Sequence, residues 1–250
     1  MKFWLKGDHD QSIAEYSRKI ALDSNDVNAY LGRAAVYRDR GNYDDALADY
    51  GMAIRHEPNN AGLYYIRAAV FEEKGEFDRA IADYSQAIKI DPAFVSFFGD
   101  VLYFARGIAY RKNNDYDLAR EDFSRVIEAA PDRVAAYLNR GAMYRIQRHF
   151  SLALADYDRA IALRPDSAPA YYGRGNTGTG SGDYDMAIKD YTRSLKIDPN
   201  FPDAYNNRGV AWDRKGDVSR ARADYIEALR RSPGHTAARA NLTRLDGIIP

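Results

Sequence analysis

The sequence predicts an all-α chain built as a solenoid of antiparallel helix pairs, on three observations. These are a fixed repeat period, two helical stripes within each period, and breakers at regular places. The alanines of the A-x-x-D-Y-like segments stand at Ala46, Ala80, Ala119, Ala153, Ala187 and Ala221, spaced 34, 39, 34, 34 and 34 residues apart. A period of this length marks units too small to bury their own apolar faces, which stack on their neighbours instead.

The elements follow in order along the chain. Residues 1–26 form a degenerate leading half-repeat, with Ser12, Tyr16, Lys19 and Ser24 at second-helix positions. Met1 falls midway along that unit's first helix, so helix Ser12–Leu22 is expected to show part of its packing face and to offer an open end for self-association. Residues 27–233 hold six full repeats. In the one around Ala153, Tyr137, Arg140, Gly141 and Tyr144 share one helical face, and Ala153, Tyr157 and Ala160 share another. Arg148-His149-Phe150 breaks the two, where siblings carry Gly-Asn-Tyr from Gly41 or Gly-Glu-Phe from Gly75, and Pro165 prevents continuation. A small residue (Ala34, Ala68, Gly107, Gly141, Gly175 or Gly209) is expected to face the second-helix alanine and let the axes approach to about 8–10 Å. Tyrosines at Tyr30, Tyr64, Tyr103, Tyr137, Tyr171 and Tyr205 fill the wedges, a core use of the rings.

Two segments depart from the pattern. Five extra residues at about 93–100 carry Phe94, Phe97 and Phe98, read as a longer first helix or bulge, or as an apolar lip. In the fifth full repeat Gly178 replaces the tyrosine of its siblings, with Gly180 and Gly182 nearby, predicting a void and a loosened first helix. Residues 234–250 supply a capping helix, Thr236–Leu245, and a tail.

On these residues the chain resembles the tetratricopeptide repeat (TPR) family, and bacterial arrays of that kind in a general way. The resemblance implies a right-handed superhelix with first helices lining a concave inner face. One departure is systematic. Arg replaces the family leucine at Arg33, Arg67, Arg106, Arg140, Arg174 and Arg208, and Asp follows sixteen residues later at Asp49, Asp83, Asp122, Asp156, Asp190 and Asp224. Each Arg is expected to pair with its Asp across the two helices.

Composition limits the function. Thirty-six basic residues balance thirty-six acidic ones, which argues against nucleic-acid or anionic-membrane partners. There is no cysteine, and no apolar run approaches the roughly 20 residues of a membrane span. Residues Met1–Lys6 are too short a core for a signal peptide, so a cytoplasmic protein is expected. Gly173–Gly178 satisfies G-x-G-x-x-G but falls in phase inside a repeat helix, where no dinucleotide is expected. His9, His56, His149 and His235 lie in different repeats, without metal-ligand spacing, and read as solvated surface residues. The expectation is a non-enzymatic protein with no cofactor and no metal.

Binding is the better-supported expectation. One row of first-helix positions reads Leu31, Tyr65, Phe104, Leu138, Tyr172 and Asn206, with Ile108, Val210 and Asn176 beside it. Leu31, Tyr65, Phe104, Ile108, Leu138, Tyr172, Asn176 and Asn207 are the candidate contacts for a peptide or protein segment in the groove. Asn176 and Asn207 match the two asparagines with which some family members clamp chaperone tails. The preceding Lys position holds Tyr172, however, and the next unit offers Ala237 and Asn241, so the clamp is incomplete. The alternative function is a regulatory or targeting module of a larger enzyme or secretion/envelope assembly, or a self-associating scaffold.

Overall fold

A computed structural model describes residues 9–90 and 92–247, with side chains for 9–90 and 100–247. The described residues contain fourteen helices and no strand. They fall into two compact units, Met1–Ala129 and Ala130–Pro250. The first holds α1 (His9–Leu22), α2 (Val27–Asp39), α3 (Tyr43–His56), α4 (Ala61–Lys74), α5 (Phe77–Ile90), α6 (Pro92–Lys112) and α7 (Tyr116–Ala129). The second holds α8 (Val134–Ile146), α9 (Phe150–Leu163), α10 (Ala168–Ser181), α11 (Tyr184–Ile197), α12 (Pro202–Arg214), α13 (Val218–Arg231) and α14 (Thr236–Leu245). Within each unit, consecutive helices pack side by side.

Local chemistry sets the helix boundaries. The Asp26, Asn60, Ser167, Asp183 and Asp217 side chains accept from amides of the first turn that follows, at 2.9–3.3 Å. First helices end in a left-handed residue: Gly41, Gly75, Gly182 and Gly216 at φ 79–87°. Asn114 (φ 67°) and Arg148 (φ 63°) adopt the same conformation with a Cβ present. The next amide folds back onto the helix, as from His149 to the Tyr144 carbonyl at 2.8 Å.

Packing within a pair rests on a ring against a missing side chain. A Cβ on Gly107 would lie 2.9 Å from the Phe123 ring, one on Gly175 2.8 Å from Tyr191, and one on Gly209 2.7 Å from Tyr225. The small residues therefore face the second-helix aromatic before the alanine that the sequence suggested. Both ring and alanine are buried in each pair.

All six Arg–Asp pairs form, each through Nε and one terminal nitrogen to the two carboxylate oxygens, at 2.6–2.9 Å. The Asp side chains are 2–9% exposed and the Arg side chains 15–23%, so these are largely desolvated forks. Several guanidinium groups also reach one repeat back: Arg33 to Ser17 at 2.9 Å, Arg106 to Ser85 at 3.0 Å and Arg208 to Thr192 at 3.1 Å. One side chain thereby ties two helices of its own repeat to the preceding one. Hydrogen bonding to Asp190, helped by Asp158, raises the Arg174 pKa against the opposing effect of burial.

Two irregular segments resolve. The extra residues lengthen the first helix: α6 runs from Pro92 through 21 residues, while its siblings have 13 or 14. The Phe94, Phe97 and Phe98 rings lie outside the described side chains, and Met1 outside the described residues. The expected loosening of α10 is absent. The helix is continuous, Thr177 and Thr179 hydroxyls donate to the Gly173 and Gly175 carbonyls, and Gly178 sits against Met186 and the start of α11. A Cβ on Gly178 would lie 2.9 Å from Met186 and 3.0 Å from the Asp183 carbonyl, so the second helix closes on the place of the absent ring.

Candidate functional site

In the first unit, Leu31 on α2, Tyr65 on α4, and Phe104 and Ile108 on α6 are all half-buried. Three of them have neighbours in their own repeat. Tyr65 stands 5.8 Å from Tyr84 ring to ring and Phe104 5.7 Å from Phe123, while Leu31 packs beside Tyr30 and Ala34.

The second unit is more polar. Leu138, Tyr172, Asn176 and Asn207 are half-buried on α8, α10 and α12. An open pocket of about 450 Å³ is lined by Arg145, Tyr172, Asn176, Thr179, Gly180, Tyr191, Asn207 and Val210. It brings together three of the candidate contacts, Tyr172, Asn176 and Asn207, with Val210 from the same row; Leu138 does not line it. Tyr172 is held on its other side by Phe201, ring to ring at 4.6 Å.

Hydrogen bonds orient this pocket. Asn207 Nδ2 donates to the Tyr172 hydroxyl at 3.0 Å and to Asn176 Oδ1 at 2.9 Å. The Tyr191 hydroxyl also donates to Asn176 Oδ1, at 2.8 Å. Behind Asn207 the chain of amides continues inward: Asn206 donates to Asn207 Oδ1 at 2.9 Å, and Asn241 on α14 donates to Asn206 Oδ1 at 3.0 Å. Asn206 is thus a buried support rather than a member of the exposed row, because its amide is used by Asn207 and Asn241. Asn176 Nδ2 carries two hydrogens, of which Tyr172 takes at most one. Burial raises the Tyr172 and Tyr191 phenol pKa values, so both rings present neutral hydroxyls at ordinary pH.

Arg145, Thr179, Gly180 and Tyr191 escaped the sequence reading. Arg145 sits in the last turn of α8, outside the row traced from Leu31, and lines the pocket together with Gly180. The histidines also differ from a simple surface role. His235 Nδ1 caps α14 by accepting from Ala238 at 3.1 Å, and His56 stacks on Tyr30 at 6.0 Å. The Gly173–Gly178 motif lies inside α10, where its amides serve the helix. Among the described residues no cluster of His, Asp and Glu could hold a metal, and no helix is long and apolar enough to cross a membrane.

Comparison with known proteins now places the chain. Profiles described as tetratricopeptide repeat match residues 3–51, 31–93 and 104–168, and one described as TPR repeat matches 180–216. The chain belongs to the tetratricopeptide repeat family, whose fold is generally a non-catalytic scaffold for protein interactions. No curated protein matches it significantly in sequence. Among solved structures, it is similar to a chain of the APC/C hetero-tetramer Cut9–Hcn1, with 17% identity, a TM-score of 0.66 and 96% of this chain covered. The match spans only 46% of that longer chain. It also resembles YrrB, described as a TPR protein with an unusual peptide-binding site, at 24% identity and TM-score 0.58, over 76% of this chain and 96% of that one. MamA is similar at 26% identity and TM-score 0.60, over 70% and 93%.

Proposed function

We propose that this protein captures an extended segment of another polypeptide on its first-helix faces, with the pocket of the second unit as the polar anchor. The observation that carries this reading is the oriented amide pair Asn176–Asn207. It is fixed from behind by Asn206, Asn241 and Tyr191. Preorganised amides suit a peptide backbone, which presents donors and acceptors at every residue. Leu138 and Tyr172 supply half-buried apolar contacts in the same unit, and Leu31, Tyr65, Phe104 and Ile108 offer contacts of the same kind within the first unit taken by itself. The peptide-binding site named for YrrB is consistent with this use of the fold.

Selection from a random-peptide phage library tests the reading. The intact protein should enrich a consensus, and the N176A/N207A double variant should lose it while keeping its helical circular dichroism. Failure to enrich any consensus, or equal enrichment by the variant, would contradict the proposal.

A further inference from the structure

We infer that the pocket of the second unit is regulated by pH through His235: protonation of this histidine uncaps α14 and loosens the amide chain that holds Asn207. For its ligand this rests on the peptide-capture reading above, while the switch itself is readable in the free protein. Two contacts fix the neutral tautomer. His235 Nδ1 accepts from the Ala238 amide at 3.1 Å, so the ring proton sits on Nε2, which lies 3.2 Å from Asp203 Oδ1 on α12. The helices that follow Asp26, Asn60, Ser167, Asp183 and Asp217 are capped by side-chain oxygens. An imidazole nitrogen differs from these, because a proton gained near neutrality removes it as an acceptor.

Protonation sets an Nδ1–H against the Ala238 N–H, and no rotation of a doubly protonated ring restores an acceptor. The cation would also stand at the positive end of the α14 dipole. Asp203 draws the other way, but its side chain is 60% exposed and already accepts from the neutral ring, so the gain is small. Nearby charges are engaged elsewhere. On α13, Arg230 and Arg231 are taken up by Glu227 and Arg222 by Asp246. Asp213 on α12 is taken up by Arg244, and Arg239 on α14 donates to the Pro233 carbonyl. Asp203 is the acid that meets the imidazole.

The cap matters to the pocket because of what Ala238 positions. It is the one buried residue of α14, and Asn241 follows three residues later on the same face. Asn241 donates to Asn206 Oδ1 at 3.0 Å, Asn206 to Asn207 Oδ1 at 2.9 Å, and Asn207 to the Tyr172 hydroxyl and Asn176 Oδ1. A helix of 10 residues has little stability of its own, so losing the cap frays the turn from which Asn241 departs. The first link of the chain then weakens, and the Asn207 amide loses its fixed orientation.

The test is NMR of the full chain without ligand, from about pH 7.5 to about pH 5, on the intact protein and on H235N, whose side-chain oxygen caps without titrating. In the intact protein the His235 ring should report the Nε2–H tautomer at the upper end. As the ring gains its second proton, the hydrogen-exchange protection of Ala238 should fall by about fivefold or more. The side-chain amides of Asn241, Asn206 and Asn207 should shift along the same curve. H235N should keep the Ala238 protection and hold those three amides still. A phage-selected peptide with blocked termini and no His, Asp or Glu should bind the intact protein more weakly at the acid end by about threefold or more, and H235N equally at both ends. Amides that stay fixed while His235 titrates, or that move equally in H235N, would overturn the inference and leave peptide capture standing. A ring that stays neutral to about pH 5 would do the same. If no peptide is selected, peptide capture falls, and the free-protein signals still decide the switch.

Discussion

Asp156 is a carboxylate held almost out of water by two nitrogens of Arg140, at 2.7 and 2.9 Å. The pair contributes little net stability over an apolar isostere, because desolvating both charges costs about as much as their attraction returns. Removing one member is different, since the other remains buried and uncompensated. Asp156→Ala is therefore expected to cost about 3–5 kcal/mol in urea unfolding, and a loss below about 1 kcal/mol would show the guanidinium escaping to solvent. Arg148 presents the opposite case, a side chain whose backbone works against it at φ 63°. Arg148→Gly should stabilise the protein by about 1 kcal/mol, because the left-handed conformation costs a residue with a Cβ roughly that much. The same measurement checks it, and an unchanged midpoint would mean that the Arg148 stack on Phe150 offsets the strain.

At the scale of elements, α10 shows how a helix rich in glycine stays intact. An exposed glycine in a helix normally gains about 1 kcal/mol on replacement by alanine. Gly175 should behave otherwise, because the new Cβ would lie 2.8 Å from the fully buried Tyr191 ring. Gly175→Ala is predicted to destabilise by about 1–3 kcal/mol in thermal or urea unfolding, and a stabilised variant would show that α11 can shift. The helices themselves were legible in the sequence, because apolar spacing, left-handed glycines and prolines act locally. The Arg–Asp forks were legible too, since a constant sixteen-residue interval in six repeats leaves few other geometries. The continuity of α10 was not. It depends on how closely α11 approaches Gly178, and no local pattern encodes that approach. Arg145 was hidden for a related reason: it lies outside the row traced from Leu31, and only the packing of adjacent repeats brings it to the pocket.

At the scale of the molecule, the shared feature is a set of tyrosines buried between helices in both units. Burial raises the phenol pKa values of Tyr50, Tyr84, Tyr157, Tyr172, Tyr191 and Tyr225, with Tyr157 pushed up to about 12. A raised phenol pKa means that the folded state resists losing the proton. Its contribution is complete below the unfolded value of about 10 and is lost as the pH rises toward the folded one. Helix content should therefore hold to about pH 10 and collapse cooperatively with phenolate absorbance between about pH 10 and 12. Phenolate appearing well before helix loss would show these rings to be solvated. The peptide-capture proposal has its polar anchor in the second unit. Side-chain amide NMR of Asn176 and Asn207, followed while a library-selected peptide is titrated in, tests it most directly. The account predicts saturable shifts of both amides together with the Arg145 Nε signal, and shifts confined to second-helix residues such as Asp158 and Thr192 would contradict it.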